Sequence, residues 1–306
     1  MPIVSIRHRT SYRYRRPVGF GEHRMMLRPL EAFDQRLIAY DLDVSPEPAV
    51  LRHLHDLTDA CVAIARFKAR AEVLTFESRV VLDHSPEAAL DLESDGAAIG
   101  EGTFTYAADE VAALTTSVQR CHPDGGKVEA WARRFLRPLG RTSISTLLSD
   151  MTHAIRAEFV YEIRPSGAPQ APSVTLERGR GSCRDFTVLL MEAARSLGLA
   201  ARFASGYVYS GSQKAGGGSH GHTHAWARVY VPGCGWTDFD PTNGIIGGAG
   251  LIRVAVATEP GHALPLHGSW RGMRSDFIGM DVEIDIGVEE AALRQPARLL
   301  RVAGAG

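Results

Sequence analysis

The chain has 306 residues, of which 44% are hydrophobic, with a formal net charge of -1. That length and apolar content suffice for two compact domains with real cores. The near-neutral balance argues against electrostatic capture of a polyanion, so no nucleic-acid partner is expected. Nor does any stretch approach the ~20 apolar residues needed to cross a bilayer.

In chain order, Met1-Pro2-Ile3 leads directly into strand-like sequence without a charged-then-apolar leader, and the expected location is the cytoplasm. Residues 1–88 read as a β-rich, sandwich-like domain, with strands predicted over 3–14, 36–44, 60–68 and 72–83. In the first of these, Arg7, Arg9, Arg13 and Arg15 alternate with His8, Thr10, Tyr12 and Tyr14, which predicts a basic, solvated face over a partly aromatic one. Residues 89–141 read as a connector with a helix over 127–136. A further unit spans 142–260, opening with a helix over 143–158. The tail, 261–306, contains a strand over 278–286 whose apolar and acidic alternation suits an edge or inter-domain position.

The chemistry centres on Arg-Gly-Ser-Cys-Arg-Asp-Phe at 180–186. Phe186, Leu189, Leu190, Ala193, Ala194 and Leu197 follow the three-and-four spacing of a helix with one buried stripe, and Cys183 shares that face. Gly181 and Ser182 precede it, and Ser182 can accept from the free amides of the first turn. Cys183 therefore stands at a helix N-terminus, where unpaired N–H groups and the positive dipole end favour a thiolate. Cys61, Cys121 and Cys234 open no helix, and four cysteines without a CxxC pair form neither a disulfide framework nor a zinc-finger spacing.

A strand is predicted over 201–209. A Gly/Ser-rich loop follows over 210–220, placed to border the site, either as a lid or substrate-access loop or as a plain tether. Then His224, Trp226, Arg228 and Tyr230 alternate with small or β-branched residues, the period of a strand. Pro232–Gly235 forms a turn and residues 236–240 return. Direct pairing of Val231 with Trp236 would set Asp240 opposite Ala227, on the face away from His224. A bulge or an odd-length connection is therefore expected at 232–235, eased by two glycines. Asp240 lies nearer His224 than Asp238 does. Cys183 as nucleophile, His224 as proton carrier and Asp240 as the carboxylate that orients the ring make up a thiol acyl-transfer set.

The Cys183 backbone N–H is one candidate oxyanion donor and the Tyr161 hydroxyl another. Trp226, His222 and Ser182 are substrate-binding candidates. His220, His222 and His224 alternate as metal ligands can, but a carboxylate or thiol at matching spacing is missing, and recruiting Cys183 would consume the nucleophile. Neither a metal nor another cofactor is expected. Arg184 and Asp185 are expected to brace the loop, Asp185 also favouring the helix N-terminus as an acid.

Gly181-Ser182-Cys183-Arg184-Asp185-Phe186, His224-Ala225-Trp226 and Asp240-Pro241-Thr242 together resemble the bacterial transglutaminase-like family of the papain-type superfamily. The segment His8 to Val18, with Leu27-Arg28-Pro29, is similar to the β-rich domain that precedes the core in that family. Its usual Asp-x-x-Gly-Asn turn is replaced here by Asp56-Leu57-Thr58-Asp59-Ala60. The resemblance implies an α+β papain-like transglutaminase core, thiol acyl chemistry, and Cys183, His224 and Asp240 as its catalytic residues. The expected activity is that of a peptidase or amidase more than a crosslinking transferase, on a peptide or protein amide. The alternative is a non-catalytic module that uses the same cleft to bind peptides.

Overall fold

The computed structural model describes residues 2–86, 97–100, 102–138, 140–164, 167–209, 219–220 and 222–290. The loop expected over 210–220 and the side chain of His220 fall largely outside them.

The N-terminal strands are β1 (Pro2–Met25), β2 (Gln35–Ser45), β3 (Val50–His55), β4 (Cys61–Arg66) and β5 (Arg70–His84). β1 is longer than its alternating pattern predicts because it bends and continues. Its register with β5 breaks between Arg13 and Val18, around Pro17, which has no N–H to give a ladder. Beyond the break it pairs with β4. β2 lies on β5 and β3 on β4. The result is one antiparallel sheet curled on itself, its inside filled by Tyr14, Val18, Phe20, Leu74 and Phe76. Two layers were expected from two sheets; here a single bent sheet supplies both. Arg13 and Arg15 are exposed while His8, Thr10 and Tyr14 are buried, as the alternation predicts. In the turn before β4, Asp56 Oδ1 accepts from the Thr58 and Ala60 amides, and Asp59 takes φ 60° where the family places glycine. Asp is among the few side chains that tolerate that region.

The following segment contributes β6 (Ala98–Ile99), α1 (Ala108–Val118), α2 (Lys127–Arg133), β7 (Thr142–Ser143) and α3 (Ile144–Glu158). Then come β8 (Val160–Tyr161), α4 (Pro172–Arg178), β9 (Arg180–Gly181) and α5 (Cys183–Ser196). α5 is flanked by α2, α3 and α4 and packs against β10 (Ala201–Val208) and β12 (His222–Val231). The sequence predicts one buried stripe for α5, yet Asp185 through Ser196 are buried all round. Its polar residues are tolerated because they are satisfied internally. Glu192 and Arg195 pair at 3.0 Å, Glu192 accepts the Cys121 and His122 amides, and Arg195 donates to carbonyls of Ser117, Ala201 and Thr258.

The second sheet is built from β10 (Ala201–Val208), β12 (His222–Val231), β13 (Gly235–Asp240), β14 (Ile245–Ile246) and β15 (Leu251–Ala257), ordered β14-β13-β12-β10-β15. β11 (Ser219–His220) precedes β12. Finally β16 (Leu266–Arg271) and β17 (Phe277–Glu290) return to the N-terminal sheet. β17 runs antiparallel to β1 from Pro2↔Glu290 to Tyr14↔Phe277, and β11 pairs on its other side at Ile286 and Asp285. The tail strand thus lies inside the N-terminal sheet, between β1 and β11, and not at its edge. Ile284 and Ile286 join Val4, Ile6, Val80 and Leu82 in the same apolar core as Leu189, Leu190, Tyr207 and Ile252, so both sheets share one interior. Among the described residues no helix is long and apolar enough to cross a membrane.

Candidate active site

Cys183 is the first residue of α5, half-buried against the core. The helix start is held by Asp185, which is fully buried. Its carboxylate accepts the Ser182 N–H at 2.7 Å, the Ser182 hydroxyl at 2.9 Å and the Gln170 N–H at 2.7 Å, and pairs with Arg164 at 2.9 Å. Burial pushes the Asp185 carboxyl up, but these bonds outweigh it and hold it below the ordinary value. Arg184 donates to the carbonyls of Arg164 and Gly167, so both neighbours of the cysteine motif brace the incoming loop. Ser182 is consumed by this brace. It is buried and its hydroxyl donates inward, so its expected role toward substrate is withdrawn.

His224 comes from β12 and Asp240 from β13. The hairpin pairs Val231 with Gly235 and Tyr230 with Trp236, leaving a three-residue connection, Pro232-Gly233-Cys234. This is the odd-length connection expected at 232–235, with Gly233 at φ 84° and Gly235 at φ 76°. The register continues through Ala227↔Phe239, which carries Asp240 to the face of Trp226 and His224. Gly206 faces His224 across the sheet on β10, and a Cβ there would lie 1.9 Å from the Ile252 carbonyl oxygen, so only glycine lets β15 approach.

His224 Nε2 lies 2.8 Å from Asp240 Oδ2, with both side chains buried. The Cys183 thiol lies near enough to act on the same ring. Burial disfavours the charged imidazole, but the interactions with Asp240 and Cys183 outweigh it and raise its pKa to about 10. Burial likewise opposes charge on Asp240, and the bond from His224 heads the contacts that bring its carboxyl below the ordinary value. The pair is therefore an imidazolium and a carboxylate at neutral pH.

Asn243 was missed by the sequence reading. Its Nδ2 donates to Asp240 Oδ2 at 2.7 Å and lies 3.3 Å from His224 Nε2. The Thr242 and Asn243 amides donate to Asp240 Oδ1 at 2.9 and 3.3 Å. The available signal was Asp-Pro-Thr-Asn itself, an Asx-type turn in which an aspartate accepts amides two and three residues on.

Trp226 is fully buried, packed with Ala204 and Leu251, and its indole N–H donates to Asp238 at 2.9 Å. It cannot touch a substrate; the alternation that marked it as a site residue marked a core position beneath the site. Its ring stacks on His224, centroids 6.2 Å apart. His222 is exposed at the start of β12. Tyr161 is half-exposed on β8, which pairs with Arg180 and Gly181 just before the cysteine helix. Burial, with the Cys183 and Asp240 charges behind it, pushes its phenol up, so its hydroxyl keeps a proton to donate. The Cys183 N–H belongs to the first turn of α5, outside the intrahelical ladder. Among the described residues no three His, Cys, Asp or Glu side chains group as metal ligands would. A cleft of about 1550 Å³ between the hairpin and the N-terminal sheet is lined by residues such as Phe33, Tyr40, Trp236 and Arg253, and by none of Cys183, His224 or Asp240.

Residues 4–83 match the model of the bacterial transglutaminase-like N-terminal region, and residues 131–241 match that of the transglutaminase-like superfamily, together well over half of the chain. The chain belongs to the bacterial transglutaminase-like family. The core match of this transglutaminase-like protein takes in Cys183, His224 and Asp240 and stops before Asn243. An uncharacterized protein of Mycobacterium tuberculosis is 25% identical over 289 residues, covering 92% of this chain and 91% of the relative. YebA of Bacillus subtilis, also uncharacterized, is 36% identical over 76 residues, 22% of this chain and 10% of YebA. Among solved structures, a candidate cysteine protease from Cytophaga hutchinsonii superposes with a TM-score of 0.69 at 15% identity, over 94% of this chain and 98% of that one. At that identity the likeness is one of fold, and the fold is the transglutaminase-like α+β core expected from the sequence.

Proposed function

We propose that this transglutaminase-like protein performs thiol-dependent acyl chemistry on a peptide or protein amide, with Cys183, His224 and Asp240 as its working set. The observation that carries the reading is His224 held on Asp240 at 2.8 Å, with Cys183 at the start of α5 acting on the same ring. In the first step sulfur attacks the amide carbonyl carbon and a C–S bond forms. The carbonyl oxygen takes the negative charge, facing the Cys183 N–H, with the Tyr161 hydroxyl as the second donor. The imidazolium then gives its proton to the amide nitrogen as the C–N bond breaks, and the amine leaves. In the second step water attacks the thioester, neutral His224 takes its proton, the C–S bond breaks, and the acid leaves with sulfur and imidazolium as they began. An amine in place of water would give transfer by the same route; we assign hydrolysis as the main outcome. A nucleophile that must remain a free thiol suits the reducing cytoplasm, the location we propose.

The test is intact-mass analysis after brief iodoacetamide treatment over a series of pH values, with the modified peptide mapped and Cys183→Ala run alongside. Fast modification confined to Cys183 supports the reading, and amide hydrolysis is then assayed with and without added amine. Slow modification spread over Cys61, Cys121 and Cys234 would reject it in favour of a peptide-binding cleft.

A further inference from the structure

We infer that the N-terminal sheet is a working part of the active site, with Asp34 positioning the His224 imidazole through Arg253, Asp238 and Trp226. The inference rests on the reading of His224 as proton carrier.

The hairpin presents two ring–carboxylate pairs in the same diagonal register. One is His224 with Asp240 at 2.8 Å; the other, one step nearer the turn, is Trp226 with Asp238 at 2.9 Å. The two rings stack at an interplanar angle of 22°. The indole N–H does not titrate, so the inner pair stays fixed while the outer one exchanges protons. Anchored at its nitrogen, the indole cannot rotate in its plane, and it offers the imidazole a rigid support.

Asp238 is itself buried and is held from both sides, by Arg228 Nε at 2.9 Å and Arg253 Nη1 at 3.3 Å. Arg253 lies on β15, buried, and its other guanidinium nitrogen pairs with Asp34. Its backbone is gripped as well: Gln35 Oε1 accepts the Arg253 N–H at 3.0 Å, and Gln35 Nε2 donates to the Arg253 carbonyl at 2.8 Å. Asp34 and Gln35 stand at the start of β2, so the N-terminal sheet ends in a fixed hold on the arginine that fixes Asp238. A plain domain clamp would need only the Asp34–Arg253 contact; this one continues to the ring against His224.

The experiment measures the Cys183 alkylation rate against pH, together with the melting temperature, in wild type, Asp34→Ala, Asp34→Asn and Trp226→Phe. Loss of the support should slow alkylation at neutral pH roughly tenfold in Asp34→Ala, inside the ~100-fold that a misplacement of about 1 Å can cost. Asp34→Asn keeps an acceptor for Arg253 and should recover most of the rate. Trp226→Phe removes the indole N–H with part of the ring, leaves every charge paired and should reproduce the Asp34→Ala profile. It carries the test alone if Asp34→Ala does not fold. The double variant should be no slower than either single one, as expected for two links of one chain. Variants that melt earlier but keep the wild-type pH–rate profile would reduce the chain to a structural clamp and overturn the inference. A wild type without an activated Cys183 would instead overturn the proposed function, and this inference with it.

Discussion

Asp240→Asn tests the electrostatics of the site most directly. The side chain keeps its shape, but one oxygen becomes an NH2. Oδ2 now accepts from His224 and Asn243, and Oδ1 from the Thr242 and Asn243 amides. Whichever way the amide turns, its NH2 faces donors and at least one buried group loses its partner. The charge that keeps His224 protonated is lost as well. A rise of the imidazole from 6.5 to about 10 is on the order of 5 kcal/mol, shared between Asp240 and Cys183. Breaking the buried pair should therefore cost about 3 kcal/mol near neutral pH. The sign of the pH dependence follows from the two shifts. His224 is raised, so its contribution is fully present below 6.5 and disappears as the pH climbs through about 10. Asp240 is lowered, so its contribution is present above 3.8 and is lost as the pH falls through its depressed native value. The stability deficit of the variant, from urea melts across pH, should be greatest between these limits and shrink on both sides. Iodoacetamide should still label Cys183, more slowly than in wild type. A deficit that stays constant from about pH 5 to about pH 10, with unchanged labelling, would refute the reasoning.

Other substitutions probe the supports. Asn243→Ala should slow labelling less than Asp240→Asn, because two backbone amides still hold Oδ1; equal or greater slowing would assign Asn243 a larger role. Asp185→Asn should destabilise the start of α5 by about 3 kcal/mol, since Arg164 loses a buried partner, with the loss fading as the pH falls into the range where Asp185 protonates. Urea melts at neutral and acid pH measure it. Gly206→Ala should cost about 3 kcal/mol or more by forcing β15 from β10, and melting within 1 °C of wild type would contradict the geometry at Ile252. Labelling and turnover should be retained in chelator; loss restored by added metal would overturn metal-independence.

The core of this site was legible because its determinants are local. A helix that starts at Cys183, a period-two strand that starts at His224 and a turn whose length must reconcile two side-chain faces can all be counted along the chain. What could not be read depends on distant partners. Nothing near Trp226 distinguishes a substrate-facing ring from one buried under Ala204 and Leu251. Ser182 has the composition of a free cap, and only its bond to Asp185 makes it inaccessible. The burial of α5 on every side rests on Arg195 reaching carbonyls of Ser117 and Thr258, which no periodicity announces. Likewise β1 was expected to end where its alternation weakens, whereas it turns at Pro17 and proceeds in a second register.

The pairing of β1 with β17 bears on synthesis. β1 leaves the ribosome long before its partner and finds it only when Phe277–Glu290 emerges, so one side of β1 waits through translation of nearly the whole transglutaminase-like core. Contacts so far apart in sequence close slowly, and a waiting strand edge is open to other chains. The transglutaminase-like sheet, β10 to β15, is complete before that moment. Nascent chains stalled near residue 260 should therefore carry a formed Cys183–His224–Asp240 group beside an unfinished N-terminal sheet, and should be the species that calls on chaperones.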